Sequence, residues 1–346
     1  EINIWGRLDG TPRNDDKTYK SATVTAILKD EGGAEVASNT ATSAATRAGD
    51  WTITLPEQSY QVDKTYTLEL TATAGDATSK TTTISNIIFG DVYLCAGQSN
   101  MVMPLNGFDY CPISDSNNVI ADAPNHPGIR MVTIKPTVKL SPQEYAEGSW
   151  QQPTTENAPK FGAAAYHYAL TLQRTLQIPI GVITCAWGGS RVEGWLPKEI
   201  LQTYKDEDLT LIGSDKTPVY LQSMLMYNGI LYPCHKYTIK GFIWYQGESN
   251  VRSSRTYAER LATMVKHWRS IWKQGDLPFY YVETVPFACE YKEDGYIGAL
   301  LREAQQKALS LIPNSGMIGT NDLVETYEAP QVHPHNKKEN ASHICP

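Results

Sequence analysis

Residues 90–101 read GDVYLCAGQSNM: an apolar run, Val92-Tyr93-Leu94, passes through two small residues, Cys95 and Ala96, and breaks at Gly97-Gln98-Ser99-Asn100. A strand buried on both faces of a parallel sheet reads as a near-continuous apolar run, and in open α/β sheets ligands sit just beyond the carboxyl ends of the strands. Ser99 therefore stands where the chemistry of such a fold is placed. From Asp91 onward the chain alternates strand and helix. Residues 161–176 set Ala165, Tyr168, Leu172 and Leu176 at helical spacing and lead into the apolar run 179–185. Residues 257–272 repeat that spacing with Leu261, Met264, Trp268 and Trp272 before the strand 279–282, and residues 237–245 form a further strand between the two. This alternation predicts a parallel sheet with helices on both faces. Residues 106–149 and 206–218 read as long loops, of the kind that often bind ligands.

The segment before it has a different period. Trp51, Ile53 and Leu55 share one strand face against Thr52 and Thr54, and Tyr66, Leu68 and Leu70 share another against Thr65, Thr67 and Glu69. Turn residues at Asp30-Glu31-Gly32-Gly33 and Gly75-Asp76 separate such runs. Residues 1–86 are therefore expected to form a small immunoglobulin-like β-sandwich, with the α/β domain occupying 87–346.

Composition sets outer limits. With 346 residues, 41% hydrophobic and 19% charged, the chain is an ordinary globular one with room for both domains. A net charge of -7 gives no electrostatic reason to expect nucleic acid or an anionic membrane surface as partner. No apolar stretch approaches the roughly 20 residues that a bilayer span needs. Glu1 opens into a strand-like segment without the basic and apolar regions of a signal peptide, as expected if such a leader has already been removed. The six cysteines, at 95, 111, 185, 234, 289 and 345, form no CxxC pair, so zinc and redox motifs find no support. Cys95 and Cys185 lie in strand patterns as small hydrophobes; the other four leave disulfides open.

Three strand ends of the second domain finish in polar or glycine-rich loops: Gly97-Gln98-Ser99-Asn100, Trp187-Gly188-Gly189-Ser190-Arg191, and Gln246-Gly247-Glu248-Ser249-Asn250. A fourth segment near the end supplies Val332-His333-Pro334-His335. In a parallel sheet the first three converge on one edge. An acyl-transfer site needs an activated nucleophile, a base and donors aimed at the developing oxyanion. Ser99 with His333 would supply the first two. The Ser99 N–H, an N–H of Gly188 or Gly189, and the Gln246 amide would supply three donors. Each piece alone has a plain structural reading, as a turn, a helix entry, a buried amide and an ordinary histidine; it is their joint occurrence at strand ends that points to chemistry. The order also differs from the α/β-hydrolase elbow Gly-x-Ser-x-Gly, since Met101 stands in its last position and Ser99 follows the first strand of its domain.

These stretches resemble the SGNH/GDSL hydrolase superfamily, and within it the sialate O-acetylesterase-like carbohydrate esterases. The resemblance rests on GDVYLCAGQSNM, FGAAAYHYALTLQRTLQIPIGVITCAWGGSRVEGW, GFIWYQGESN, LREAQQKALSLIPNSGM and VHPHNKK, which cover most of the chain after Gly90. It implies a flavodoxin-like three-layer catalytic domain behind a β-rich module, hydrolysing acetyl esters of sugars without a metal or other cofactor. It further implies Ser99 as nucleophile, His333 as general base, and Ser99, Gly189 and Gln246 as oxyanion-hole donors. Asn100 and Glu248 serve in that branch to hold the loops in place and rank second as substrate contacts. The resemblance also implies a secreted or periplasmic protein.

Two departures from the family pattern stand out. The superfamily carries an aspartate three positions before the histidine, where this sequence has Pro330. A backbone carbonyl, making a Ser-His dyad, or Glu328, Asp322 or another acid would then orient His333. Losing a triad acid outright can cost about 10⁴ in rate. The family also continues past HPHNKK into a closing helix, whereas here the chain runs through Glu339 and His343 to Pro346; either the helix is absent or the residues are not contiguous in the natural protein. Asn340-Ala341-Ser342 is a glycosylation sequon, read here as a chance match.

On the substrate side, Arg191 is a candidate for a carboxylate partner, since a guanidinium pairs with carboxylates in bidentate fashion, which favours sialic acid over neutral sugars. Its alternative is a structural bridge to Glu193 or Glu248. Trp187, Trp195 and Tyr245 are sugar-stacking candidates or core. The expected substrate is an O-acetylated sugar or glycan, 9-O-acetyl sialic acid first and acetylated xylan second. Two other classes remain beside it: a metal-dependent hydrolase built on His333-x-His335, for which no zinc spacing exists, and a carbohydrate-binding protein whose catalytic apparatus has decayed, which Pro330 suggests.

Overall fold

The computed structural model describes residues 1–8, 17–75, 79–287, 296–328 and 331–339. Pro330, Cys289, Cys345, Asp76 and the sequon at 340–342, all singled out above, lie outside the described residues. The chain divides into two compact units, Glu1–Gly90 and Asp91–Pro346.

The first unit is entirely antiparallel. Strands β1 (Ile2–Arg7) and β4 (Asp50–Leu55) make a two-stranded sheet, and β2 (Thr23–Lys29), β3 (Glu35–Thr42), β5 (Tyr66–Thr73) and β6 (Lys80–Ile87) make a second in the order β3-β2-β5-β6. The period-two pattern sets the faces. Trp51, Ile53 and Leu55 point into one core with Val24, Ala26, Leu28, Tyr66 and Leu68, while the intervening threonines face outward. Two sheets sharing one apolar core make a sandwich module. β6 runs to Ile87, one residue past the boundary expected from the sequence.

The second unit is an α/β domain on a six-stranded parallel sheet. Its strands are β7 (Asp91–Gly97), β8 (Ile129–Thr133), β9 (Ile180–Ala186), β10 (Gly241–Tyr245), β11 (Phe279–Val282) and β12 (Ser315–Ile318), in the order β12-β11-β10-β7-β9-β8. Without β8 this is the flavodoxin-like order 2-1-3-4-5; β8 adds an edge strand beside β9. The stretch 106–149, read as loop, thus contains a strand and also a helix. The helices are α1 (Ser99–Val102), α2 (Ser116–Asp122), α3 (Ala163–Leu176), α4 (Lys198–Leu201), α5 (Ser254–Trp272) and α6 (Ile297–Leu311). β10 starts at Gly241, four residues later than expected, because the chain before it turns to bring the Lys240 N–H onto the Val92 carbonyl (2.7 Å).

Alternation along β7 sorts the layers. Leu94 and Ala96 face a core with Trp244 of β10, Trp195 of the turn after β9, and Leu261, Met264, Trp268 and Leu301 of α5 and α6. Cys95 faces the other way, onto Met101, Met103, Ala165, Tyr168, Ala169 and Leu172 of α1 and α3. Trp195, Trp244 and Trp268 meet edge to face, with centroids 5.7 Å apart for Trp244 with each of the others. Their indole N–H groups find partners, Trp195 on Ser190 Oγ (3.1 Å) and Trp268 on the Trp195 carbonyl (3.1 Å). Trp195 and Tyr245 are fully buried and hence core, not sugar platforms. Cys95, Cys111, Cys185 and Cys234 are free and buried. Among the described residues no helix is long and apolar enough to cross a membrane.

Candidate active site

β7 ends in a position that only glycine can hold. Gly97 has φ +146°, and a Cβ there would lie 2.1 Å from the Tyr245 carbonyl oxygen of β10. That close approach brings three strand ends together. The Gln98 N–H donates to the Tyr245 carbonyl (3.0 Å) and the Trp187 N–H to the Gly97 carbonyl (3.0 Å). Gln98 Oε1 accepts from the N–H groups of Gly247 (3.2 Å) and Ser249 (3.4 Å). The chain then turns into α1, whose first residue is Ser99. Ser99 is half-buried, and its hydroxyl has no hydrogen-bond partner among the described residues.

The second loop lies directly against it. A Cβ on Gly188 would be 3.7 Å from Ser99 Cβ and would meet nothing else closer. Gly189 sits at φ +75°, with its carbonyl held by Ser249 Oγ (2.8 Å) and the Tyr220 ring packed over its Cα. Among the described residues neither the Gly188 nor the Gly189 N–H is taken by a backbone acceptor, so both glycines of the sequence reading stay available as donors.

Gln246 does not. Its Nε2 donates to the Ser190 carbonyl (3.0 Å) and to Asn250 Oδ1 (2.8 Å), and its Oε1 accepts from Tyr257 (3.0 Å). An amide nitrogen has two hydrogens, and both are committed to structure. In this structure Gln246, expected from the sequence as an oxyanion donor, is a fully buried strut between the second and third loops. Asn250 continues the strut, accepting from the Val192 N–H (2.9 Å) and donating to Glu193, which Arg260 neutralises at 2.6 Å.

Arg191 is likewise engaged within the protein. Its guanidinium donates to Glu207 (2.6 Å), the Leu221 carbonyl (3.0 Å) and Ser223 (3.3 Å), and lies 3.6 Å from Glu193. The structural bridge wins, although its main partner is Glu207, which the sequence did not suggest.

His333 is buried, with both ring nitrogens unpartnered and the Phe108 ring edge-on at 5.3 Å. Of the two named acids, Glu328 accepts instead from the N–H (2.8 Å) and the ring of His335, and Asp322 is exposed. Neither orients His333 in this structure. His335 is thereby turned to Glu328, and among the described residues no group of three His, Cys, Asp or Glu side chains is arranged to hold a metal.

What links His333 to Ser99 is a chain neighbour of each, Asn100 after the serine and Val332 before the histidine. Asn100 Nδ2 donates to the Val332 carbonyl (3.0 Å) and to Glu248 Oε1 (2.6 Å), and Asn100 Oδ1 accepts from Lys337 Nζ (2.6 Å). Asn100 and Glu248 therefore tie the loops together in this structure. Lys337, with 0% exposure, was missed by the sequence reading. Burial pulls its ammonium down to about 7 and pushes the Glu248 carboxyl up. Burial, with help from the Lys337 charge, holds His333 down at about 4.

A cleft of about 560 Å³ opens beside Gly188, lined among others by Val102, Phe108, Thr133, Lys160 and Trp187. It lies in the size range of small-ligand sites. Residues 89–341 match the family described as carbohydrate esterase, sialic acid-specific acetylesterase. The chain belongs to this family. Sialate O-acetylesterases of Pongo abelii and Homo sapiens are each 26% identical to it over 338 residues, covering 92% of this chain and 60% of theirs. The chain thus spans about three fifths of the curated relatives' length. A carbohydrate acetylesterase from Xanthomonas citri superposes with a TM-score of 0.79 at 26% identity, over 99% of this chain and 69% of the other.

Proposed function

We propose that this chain is a serine carbohydrate O-acetylesterase acting on acetyl esters of sialic acid, with Ser99 as nucleophile and His333 as general base. Family membership supports the acetyl sugar substrate. The observation that carries the catalytic assignment is the Asn100 to Val332 hydrogen bond, which joins the neighbours of serine and histidine across 232 residues of chain.

In the reaction Ser99 Oγ attacks the acetyl carbonyl carbon while its proton passes to His333. The oxyanion meets the N–H groups of Ser99 and of Gly188 or Gly189. Collapse breaks the sugar C–O bond, with the imidazolium returning the proton to the sugar hydroxyl. Water then attacks the acetyl-serine, its proton passing through His333, and acetate leaves. With no carboxylate on His333 among the described residues, the pair is proposed to work as a dyad. The setting proposed is secreted or periplasmic, resting on the family resemblance alone.

The test is acetate release from 9-O-acetyl N-acetylneuraminic acid against acetylated xylo-oligosaccharide; faster release from the sialate supports the reading, and faster release from the xylan ester replaces it. The pH profile offers a second check. A base held at about 4 is neutral through most of the acid range, so kcat/KM on p-nitrophenyl acetate should stay level down to about pH 5 and fall below about pH 4. A fall centred near the free histidine value of about 6.5 would contradict it. The same depressed value means that the unfolded chain binds more protons between about pH 4 and 6.5, so stability declines as pH drops through that window.

A further inference from the structure

With Arg191 committed to Glu207, the charge that would receive a sialate carboxylate must come from elsewhere. Among the described residues, Lys160 is the one charged residue lining the cleft beside Gly188, whose walls are otherwise apolar or neutral. It is exposed, and among the described residues its ammonium has neither an ion-pair nor a hydrogen-bond partner. Its backbone, in contrast, is firmly placed. The Asn106 N–H donates to the Pro159 carbonyl (3.1 Å), the Leu105 N–H to the Phe161 carbonyl (2.8 Å), and the Ala163 N–H to the Met103 carbonyl (2.8 Å). Pro104 and Gly162 form an antiparallel bridge in the same run. The segment carrying Lys160 is therefore zipped to the segment that leaves the nucleophile's helix, so the backbone from which the ammonium extends is fixed relative to that helix.

We infer that Lys160 is the specificity-determining residue of this cleft, pairing with the carboxylate of an acidic sugar whose acetyl group reaches Ser99. The inference rests on the sialate reading above and deepens it. A sugar with a carboxylate at one end and an acetyl ester at the other matches the layout: cation at the rim, apolar walls of Phe108 and Trp187, and nucleophile past Gly188. A lysine presents a mobile point charge with no fixed fork, which suits a carboxylate that must be admitted and released.

The test compares native protein with Lys160→Gln and Lys160→Arg. A charge-assisted hydrogen bond accounts for about tenfold to hundredfold in affinity. Lys160→Gln should lower kcat/KM on 9-O-acetyl N-acetylneuraminic acid by that factor, leave p-nitrophenyl acetate within about twofold, and be rescued by Lys160→Arg. Equal losses on both esters, or none on either, overturn the assignment. Calorimetric binding of free N-acetylneuraminic acid separates this from the catalytic reading: tenfold weaker binding to Lys160→Gln upholds the carboxylate partner even if no ester is turned over, and unchanged binding overturns it even in an active esterase.

Discussion

Ser99→Ala is expected to lower acetate release by about 10⁶, the scale seen when an activated serine is removed from a hydrolase. The residual rate comes from the N–H donors and substrate binding, which the substitution leaves in place. Stability should hardly change, because the Ser99 hydroxyl has no hydrogen-bond partner among the described residues and Gly188 offers open space beside it. Rate assays paired with thermal melts therefore separate two roles. Loss of turnover at an unchanged Tm marks a nucleophile; retained turnover with a lowered Tm would make Ser99 a turn residue and end its assignment as the nucleophile.

Asn100→Ala should damage fold and reaction together. The substitution strands three partners at once, the buried Lys337 Nζ and Glu248 Oε1 and the half-buried Val332 carbonyl. Breaking a buried charged group's partnership costs about 3–5 kcal/mol, which for a domain of this size lowers Tm on the order of 10 °C. Val332 also precedes the base, so releasing its carbonyl loosens the histidine, and misplacement on the 1 Å scale can cost about hundredfold in kcat. Differential scanning calorimetry with kcat measured well below the new Tm distinguishes the two effects. A kcat unchanged in a destabilised protein would confine Asn100 to holding the loops.

The strands buried on both faces were legible because burial leaves an apolar signature: β7, β9 and β11 lie within about a residue of the runs that announced them. β8 was not, since its five residues include Arg130, whose guanidinium folds back onto the Ile129 carbonyl (3.0 Å), and a charge in a short run hides a strand. Site positions were readable from strand ends; the fates of polar groups were not. Gln246 and Arg191 have the right chemistry for an oxyanion donor and a carboxylate partner. Only three-dimensional placement reveals that Ser190, Asn250 and Glu207 had claimed them first. Lys337 was invisible for the opposite reason: four positions after His333 in an exposed-looking HPHNKK, it reads as a solvated charge, and no pattern in one sequence signals a lysine drawn inside to meet Asn100.

The added edge strand has a bearing on how such a protein can change over generations. β8 and the segments around it supply Phe108, Thr133 and Lys160 to the cleft wall, whereas Ser99, Gly188 and His333 come from the ends of other elements. On the proposed assignments, reaction and selectivity are thus written largely in separate stretches of the gene. On the proposed reading, mutation at positions such as Thr133 and Lys160, which line the cleft, can retune which sugar is admitted while the proposed nucleophile and base are inherited intact, so a lineage can exchange one glycan for another without first losing its catalyst.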